Sequence, residues 1–189
     1  MALDAAALDW GKVAKRIRVP LGFAFAIVYF WFARPDWRAL ALGAGIAVLG
    51  LWLRAFASGY VKKARELTTT GPYAYTRNPL YLGSIIIATG FAVAARSWWL
   101  VAGMLAMFLA IYVPVIRFEE RLLRELFPND FDAYVARVPR LLPRLRAEKS
   151  GVAGGFSREL YLRHREYQAA IGAALMFAAL AVKMIWFSR

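Results

Sequence analysis

Long apolar runs alternate with short polar breaks along most of the chain, and two longer polar stretches interrupt the pattern. The apolar runs cover residues 19–33, 37–58, 80–95, 98–116 and 167–187. Each approaches the roughly 20 residues that a helix needs to cross a bilayer core. Arg34-Pro35-Asp36 and Arg96-Ser97 read as tight turns between neighbouring runs. Ala39, Gly43 and Ala47 in the second run, and Ala102, Ala106 and Ala110 in the fourth, repeat at small-xxx-small spacing. Such seams let helix backbones approach closely in lipid. Arg54 and Lys183 sit near the ends of their runs. Both read as snorkelling cations, with a polar cavity as the alternative for Arg54.

Residues 1–18 open with MALDAAALDW and then turn basic at Lys12, Lys15, Arg16 and Arg18. This pattern predicts a short amphipathic interfacial helix. A signal peptide would put its charge before the apolar core, so 19–33 is expected to stay as a membrane helix. The stretch 59–79 is polar and rich in turn residues, and 117–166 is the longest polar stretch. Within it, RFEERLLRELF (117–127) places Leu122, Leu123, Leu126 and Phe127 on one helical face. Pro128 breaks that helix. Asn129 or Asp130 is then expected to cap a second short helix, with Phe131, Tyr134, Val135 and Val138 on a shared face. Pro139 and Pro143 force an extended path through RVPRLLPRLR, and a Gly-rich link at 150–155 leads to a basic segment with Arg158, Arg163, His164 and Arg165. His164 reads as a surface residue.

The expected fold is therefore all-α: an integral membrane bundle of about five transmembrane helices with a small cytoplasmic helical cap. Its parts are a basic N-terminal segment (1–18), a four-span bundle (19–116) with a motif loop at 59–79, a cap at 117–166 that would carry catalytic residues, and a final span (167–189).

Composition narrows the chemistry. The chain is 61% hydrophobic with a mean hydropathy of +0.47, well above an ordinary soluble domain. It has no cysteine and one histidine, His164. Disulfides, thiol nucleophiles and cysteine metal sites are excluded, and histidine-based triads and metal sites nearly so, so no metal is expected. Chemistry here would run on Arg, Glu, Asp, Asn, Tyr and backbone groups. The net charge of +13 is unevenly spread: nineteen of the 25 Lys and Arg lie in 1–18, 59–79 and 117–166. The positive-inside rule puts those segments in the cytoplasm and the C-terminal end outside. The charge then marks a membrane face and meets anionic headgroups. The aromatic-basic pattern of a nucleic-acid module is absent, and no nucleic acid partner is expected.

The stretch 68–83, TTTGPYAYTRNPLYLG, holds two turn dipeptides, Gly71-Pro72 and Asn78-Pro79, among three tyrosines and an arginine. Asn78-Pro79 is a strong helix start, because Asn caps and Pro at the first helical position forfeits no hydrogen bond. The free N–H groups there favour an anion; a simply capped transmembrane helix is the plain alternative. With Tyr73, Tyr75, Arg77 and Tyr81, this stretch forms one half of a candidate site. The other half is Glu119, Glu120, Tyr134, Arg137 and Arg140. Adjacent carboxylates on a helix point about 100° apart, so Glu119 and Glu120 cannot face one pocket equally. Arg137 and Arg140 flank Pro139 and suit a carboxylate or phosphate. Surface ion pairs and headgroup contacts remain the alternatives for both pairs.

GPYAYTRNPLYLG resembles the GPY…RHPxYxG motif of the isoprenylcysteine carboxyl methyltransferase family, and RFEERLLRELFPNDFDAYVARVPRLLP resembles its second motif, which runs from a glutamate pair to RVPR. Spacing and order agree over about 45–146. The same superfamily takes in phospholipid N-methyltransferases and, more remotely, sterol C14-reductases. The resemblance implies an integral membrane methyltransferase that uses S-adenosylmethionine. Tyr73, Arg77, Asn78, Pro79, Tyr81, Glu119 and Glu120 would then contribute to the cofactor pocket. Arg137 and Arg140 would order that pocket or meet an acidic substrate, and with Glu120 they make up the catalytic candidates. The chain departs from the pattern at Asn78, where the family carries histidine. An amide hydrogen-bonds but cannot act as acid or base.

The expected activity is methyl transfer to a lipophilic acceptor from the bilayer, either a prenylcysteine carboxylate or another lipid. Such chemistry needs mainly positioning and a water-poor pocket, which a chain without cysteine can provide. The alternatives are an NADPH-dependent reductase of the sterol type, whose relatives are longer, and a non-enzymatic lipid-binding protein whose charges serve topology alone.

Overall fold

The computed structural model describes residues 2–62, 66–148 and 154–187. Among these residues it is helical, with no strand. The helices are α1 (Ala2–Phe32), α2 (Trp37–Ser58), α3 (Pro79–Ala95), α4 (Trp98–Met107), α5 (Val113–Leu126), α6 (Pro128–Arg137), α7 (Arg158–His164) and α8 (Tyr167–Phe187). Three helical stretches are long and apolar enough to cross a membrane by length and composition: Trp37–Ser58, Trp98–Leu126 and Tyr167–Trp186. Pro79–Ala95 is a shorter apolar helix. The runs at 37–58, 80–95 and 167–187 thus become helices close to their expected limits.

Two boundaries differ from expectation. Residues 1–18 and 19–33 were separate elements by pattern, yet α1 runs through both, past Pro20. Lys and Arg are good helix formers, so a change from polar to apolar need not end a helix. The fourth run likewise does not stop at 116. A π-helical turn, Phe108–Tyr112, joins α4 to α5. Pro114 accounts for it. A proline ring collides with the carbonyl four residues back and offers that carbonyl no N–H, and the carbonyl in question is Ala110. Widening the turn relieves the collision, and Trp10 Nε1 donates to Ala110 O at 3.0 Å.

The chain divides into two compact units. The first comprises Met1–Gly45, Ala88–Leu122 and Leu175–Arg189. Its core gathers Tyr29, Ala33, Leu40, Ala94, Ala95, Leu100 and Leu180, with the Phe91 and Phe177 rings stacked at 4.7 Å. The Tyr29 hydroxyl donates to Phe91 O at 2.8 Å. The Arg34-Pro35-Asp36 turn is pinned by Arg34 N–H donating to Ala95 O at 2.9 Å. Asp36 caps α2 by accepting from Ala39 N–H at 2.7 Å, and it pairs with Arg96. The predicted seam on α2 is present: a Cβ at Gly43 would collide with Gly90 O. The seam predicted on the fourth run is not, because Ala102, Ala106 and Ala110 are exposed. Lys183 does not simply snorkel. Its Nζ donates to Phe30 O, Trp31 O and Ala33 O at 2.6, 2.9 and 3.0 Å. Three donors meet three carbonyls at the electronegative end of α1.

The second unit comprises Ile46–Ile87 and Leu123–Ala174. Here α2 and α3 touch at Gly50 and Gly83, where a Cβ at Gly50 would lie 2.6 Å from Gly83 O. A small core of Phe131, Tyr134 and Val138 is joined by Leu67, Leu123, Phe127 and Val135. The face predicted for α6 is therefore present. Of the face predicted on 117–127 only Leu123 and Phe127 join that core; Leu122 and Leu126 are exposed. Pro128 starts α6 rather than separating it from a cap at Asn129 or Asp130: Phe127 takes the capping position and Pro128 the first helical one. The expected link at 150–155 lies largely outside the described residues.

Candidate active site

The second unit brings most of the candidate residues together. Gly71 opens a 3-10 turn, Gly71–Ala74, with φ of +59°. The Tyr60 ring lies where a Cβ would stand, at 2.5 Å, so both the backbone sign and the space call for glycine. The turn buries Tyr73 and Ala74. Tyr134 of α6 donates its hydroxyl to Tyr73 O at 2.6 Å. Asn78 then begins α3 with its carbonyl, which accepts from Tyr81 N–H at 3.1 Å and Leu82 N–H at 3.0 Å. Pro79 and Tyr81 are buried in the first turn.

The segment after α6 runs alongside this motif. Arg77 N–H donates to Pro139 O at 2.9 Å, Arg144 N–H to Tyr75 O at 3.0 Å, and Glu148 N–H to Ala74 O at 3.0 Å. Pro139 and Pro143 have no N–H to offer, so the pairing falls on the residues around them. Arg140 O is a hub: Thr76 Oγ1 and Asn78 Nδ2 each donate to it at 3.1 Å. Thr76, 2% exposed, also donates to Leu141 O at 3.1 Å. These bonds bring Tyr73, Arg77, Asn78, Pro79 and Tyr81 into one assembly with Arg137 and Arg140.

Within that assembly the two arginines differ. Arg137 is held by the protein: its Nε donates to Ala133 O at 3.0 Å and its Nη1 lies 3.4 Å from Glu148 Oε1. Arg144 closes the clasp by donating to Arg137 O at 3.0 Å and to Glu148 Oε2. Arg140 has an exposed side chain and contributes its carbonyl.

A second network stands at the start of α3. Arg54 Nε and Nη2 donate to Glu166 Oε2 at 3.0 and 2.8 Å. Arg54 Nη1 donates to Leu80 O at 3.2 Å and to Ser84 Oγ. Arg54 therefore lines a polar interior and does not snorkel. His164, read as a surface residue, is half-buried with Nδ1 3.0 Å from Ser58 O.

Glu119 and Glu120 lie in the first unit, on α5, and they diverge as adjacent helical residues must. Glu120 is buried at 7% exposure, beside buried Val115 and Ile116. Glu119 is half-buried and pairs with Lys15 of α1 at 3.4 Å.

Sequence reasoning missed Thr76, Arg144, Glu148 and Glu166. Glu148 carried a usable signal as the one acidic residue between Asp132 and Glu159, in a stretch rich in arginine. Thr76 carried none.

Three comparisons bear on this arrangement. Residues 39–130 match the phospholipid methyltransferase family. The matched stretch contains the 68–83 motif and both glutamates, and it ends before Arg137 and Arg140. Over 125 residues, 63% of the chain, it is 38% identical to the nickel-cobalt-cadmium resistance protein NccN of Alcaligenes xylosoxydans xylosoxydans, covering 57% of that protein. Over 137 residues, 68% of the chain, it is 33% identical to the cobalt-zinc-cadmium resistance protein CzcN of Cupriavidus metallidurans, covering 62% of that one. The chain thus spans less than two thirds of these curated relatives. No solved structure matches. The superfamily expected from the paired motifs is the one whose family model residues 39–130 match.

Proposed function

We propose that the chain is an S-adenosylmethionine-dependent methyltransferase of the membrane, acting on a lipophilic acceptor drawn from the bilayer. The observation that carries this reading is the hydrogen-bonded pairing of the 71–78 motif with the 137–148 segment, in a chain whose motif-bearing stretch matches a methyltransferase family.

The residue types of the two motifs, each taken by itself, suit the cofactor. S-adenosylmethionine presents a sulfonium and an ammonium, a carboxylate, a ribose diol and a flat base. Glu120 is a buried carboxylate, suited to a diol or an ammonium. Arg77 suits the cofactor carboxylate. The buried rings of Tyr73 and Tyr81 suit the base. When bound, the cofactor supplies a methyl group activated by positive sulfur.

The chain's own residues do the rest. Tyr134, Thr76 and Asn78 fix the backbone course of the motif against the 137–148 segment. Glu148 and Arg144 hold Arg137, which makes Arg137 a positioning residue. Arg140, whose side chain is exposed, is the arginine assigned here to an anionic acceptor. The reading includes Glu119 steadying α5 through Lys15, and a cytoplasmic setting for the motif loop at 59–79.

Calorimetric titration of the detergent-purified protein with S-adenosylmethionine, and separately with NADPH, tests the proposal. Binding of the first, with transfer of labelled methyl into a lipid extract, is expected. Binding of NADPH alone, or of neither, would overturn it. The relatives' names associate them with resistance to nickel, cobalt, zinc and cadmium. A change in lipid headgroup chemistry is one way such an enzyme would act on metal entry.

A further inference from the structure

The segment that closes the clasp also presents a surface that the clasp does not use. Its sequence is Arg140-Leu141-Leu142-Pro143-Arg144-Leu145-Arg146. Arg144 N–H and Glu148 N–H tie it to Tyr75 O and Ala74 O, and Arg144 turns inward to Glu148. Leu142 and Leu145 are left 81% and 99% exposed. Arg140 and Arg146, also exposed, flank them. Two leucines held outward by a braced backbone, with a cation on either side, do not suit free water, where they hide no apolar area.

The bracing also sets the level of this ridge. Arg140 O accepts from Asn78, the residue immediately before the apolar helix α3. The ridge is therefore bonded to the point where an apolar helix gives way to polar chain. At such a level a bilayer offers phosphates above and acyl chains below.

We propose that residues 140–146 form a ridge that seats in an anionic lipid headgroup layer, with Leu142 and Leu145 at the acyl boundary and Arg140 and Arg146 at the phosphates. Charge complementarity selects the occupant. The segment from 137 to 146 carries four arginines and no acid, and the nearby Glu148 is engaged by Arg137 and Arg144. Each cation at an anionic membrane surface favours seating by about fivefold, so Arg140 and Arg146 together favour it by on the order of 25-fold. The proposal does not depend on the methyltransferase reading. It implies that the motif bonded to the ridge is held at the depth where lipid headgroups lie.

The chain has no cysteine, so Leu145→Cys provides a single labelling site at a fully exposed position. The full-length variant, labelled with an environment-sensitive fluorophore, is placed in nanodiscs of phosphatidylcholine alone or with phosphatidylglycerol added. Blue-shifted emission, quenched by lipids carrying a nitroxide near the headgroup and more strongly in the anionic discs, is expected. Adding Arg146→Gln should reduce the anionic preference by about fivefold. Water-like emission without quenching in both compositions would overturn the proposal. Equal quenching in both would overturn the choice of anionic lipid. Efficient disulfide cross-linking between unlabelled Leu145→Cys chains would identify a second copy as the occupant, and would overturn it as well.

Discussion

Lys183 and Arg54 are both cations set into apolar helices, one in each unit, and they are satisfied in different ways. Lys183 gives its three N–H groups to the last carbonyls of α1 and lies 5.3 Å from the Phe30 ring centroid. Arg54 meets a carboxylate, a hydroxyl and a carbonyl, contributed by residue 166 and by α3. The lysine closes the end of one helix, and removing it exposes carbonyls that have a partial charge. The arginine balances a full charge, and removing it leaves Glu166, whose side chain is 13% exposed, in a setting that disfavours anions. The first unit uses its cation to finish an element. The second uses its cation to tie residue 166, outside the family match, to the start of the motif helix.

The largest test of that contrast is Arg54→Ala. It should lower stability by about 3 kcal/mol, as removal of one partner from a buried pair does, measured by thermal unfolding in detergent. Arg54→Met combined with Glu166→Leu should recover much of the loss, because no charge is then stranded. Next is Lys183→Met, expected to cost about 1–2 kcal/mol by leaving carbonyls unsatisfied. Equal losses at the two positions would erase the distinction. Glu148→Gln comes third. Arg137 is about half exposed, so the stability change should be about 1 kcal/mol or less. The proposed methyl transfer should suffer more, by on the order of tenfold in kcat/KM, because the Arg137–Arg140 segment loses its brace. A variant with full activity would separate the clasp from the chemistry.

The smallest effect is at Asp36. The Ala39 N–H, then the nearby Arg96, hold its carboxyl below the ordinary carboxylate value. A lowered folded value means that the stabilisation is present at neutral pH and is lost as pH falls through the folded pKa. Wild type should therefore exceed Asp36→Ala in melting temperature at neutral pH. The gap should close below about pH 4. A gap that is unchanged in acid would show that the cap does not depend on charge.

Much of the fold was legible because apolar runs of fixed length report directly on helices: α2, α3 and α8 end where composition changes. Continuity was not legible at α1 or between α4 and α5. A change from apolar to polar marks where surroundings change, and the backbone can stay helical across it. Pro114 was visible in the chain, but the bond by which Trp10 meets the Ala110 carbonyl within the π turn spans a hundred positions. The candidate site divides in the same way. The turn dipeptides and paired arginines announced themselves by local rules. Thr76, Glu148 and Glu166 act through long-range bonds that no periodicity encodes. Arg54 was noticed for its position, yet its role was set by a carboxylate 112 residues later.

Asn78 joins the two halves of the clasp through an amide, where the resembled family carries histidine. An imidazole at that position would change its donors over the range in which cells acidify or recover. An amide keeps the same two donors throughout. The bond that Asn78 makes to Arg140 O therefore keeps the same donor across that range, and any titration within the clasp falls to Glu148.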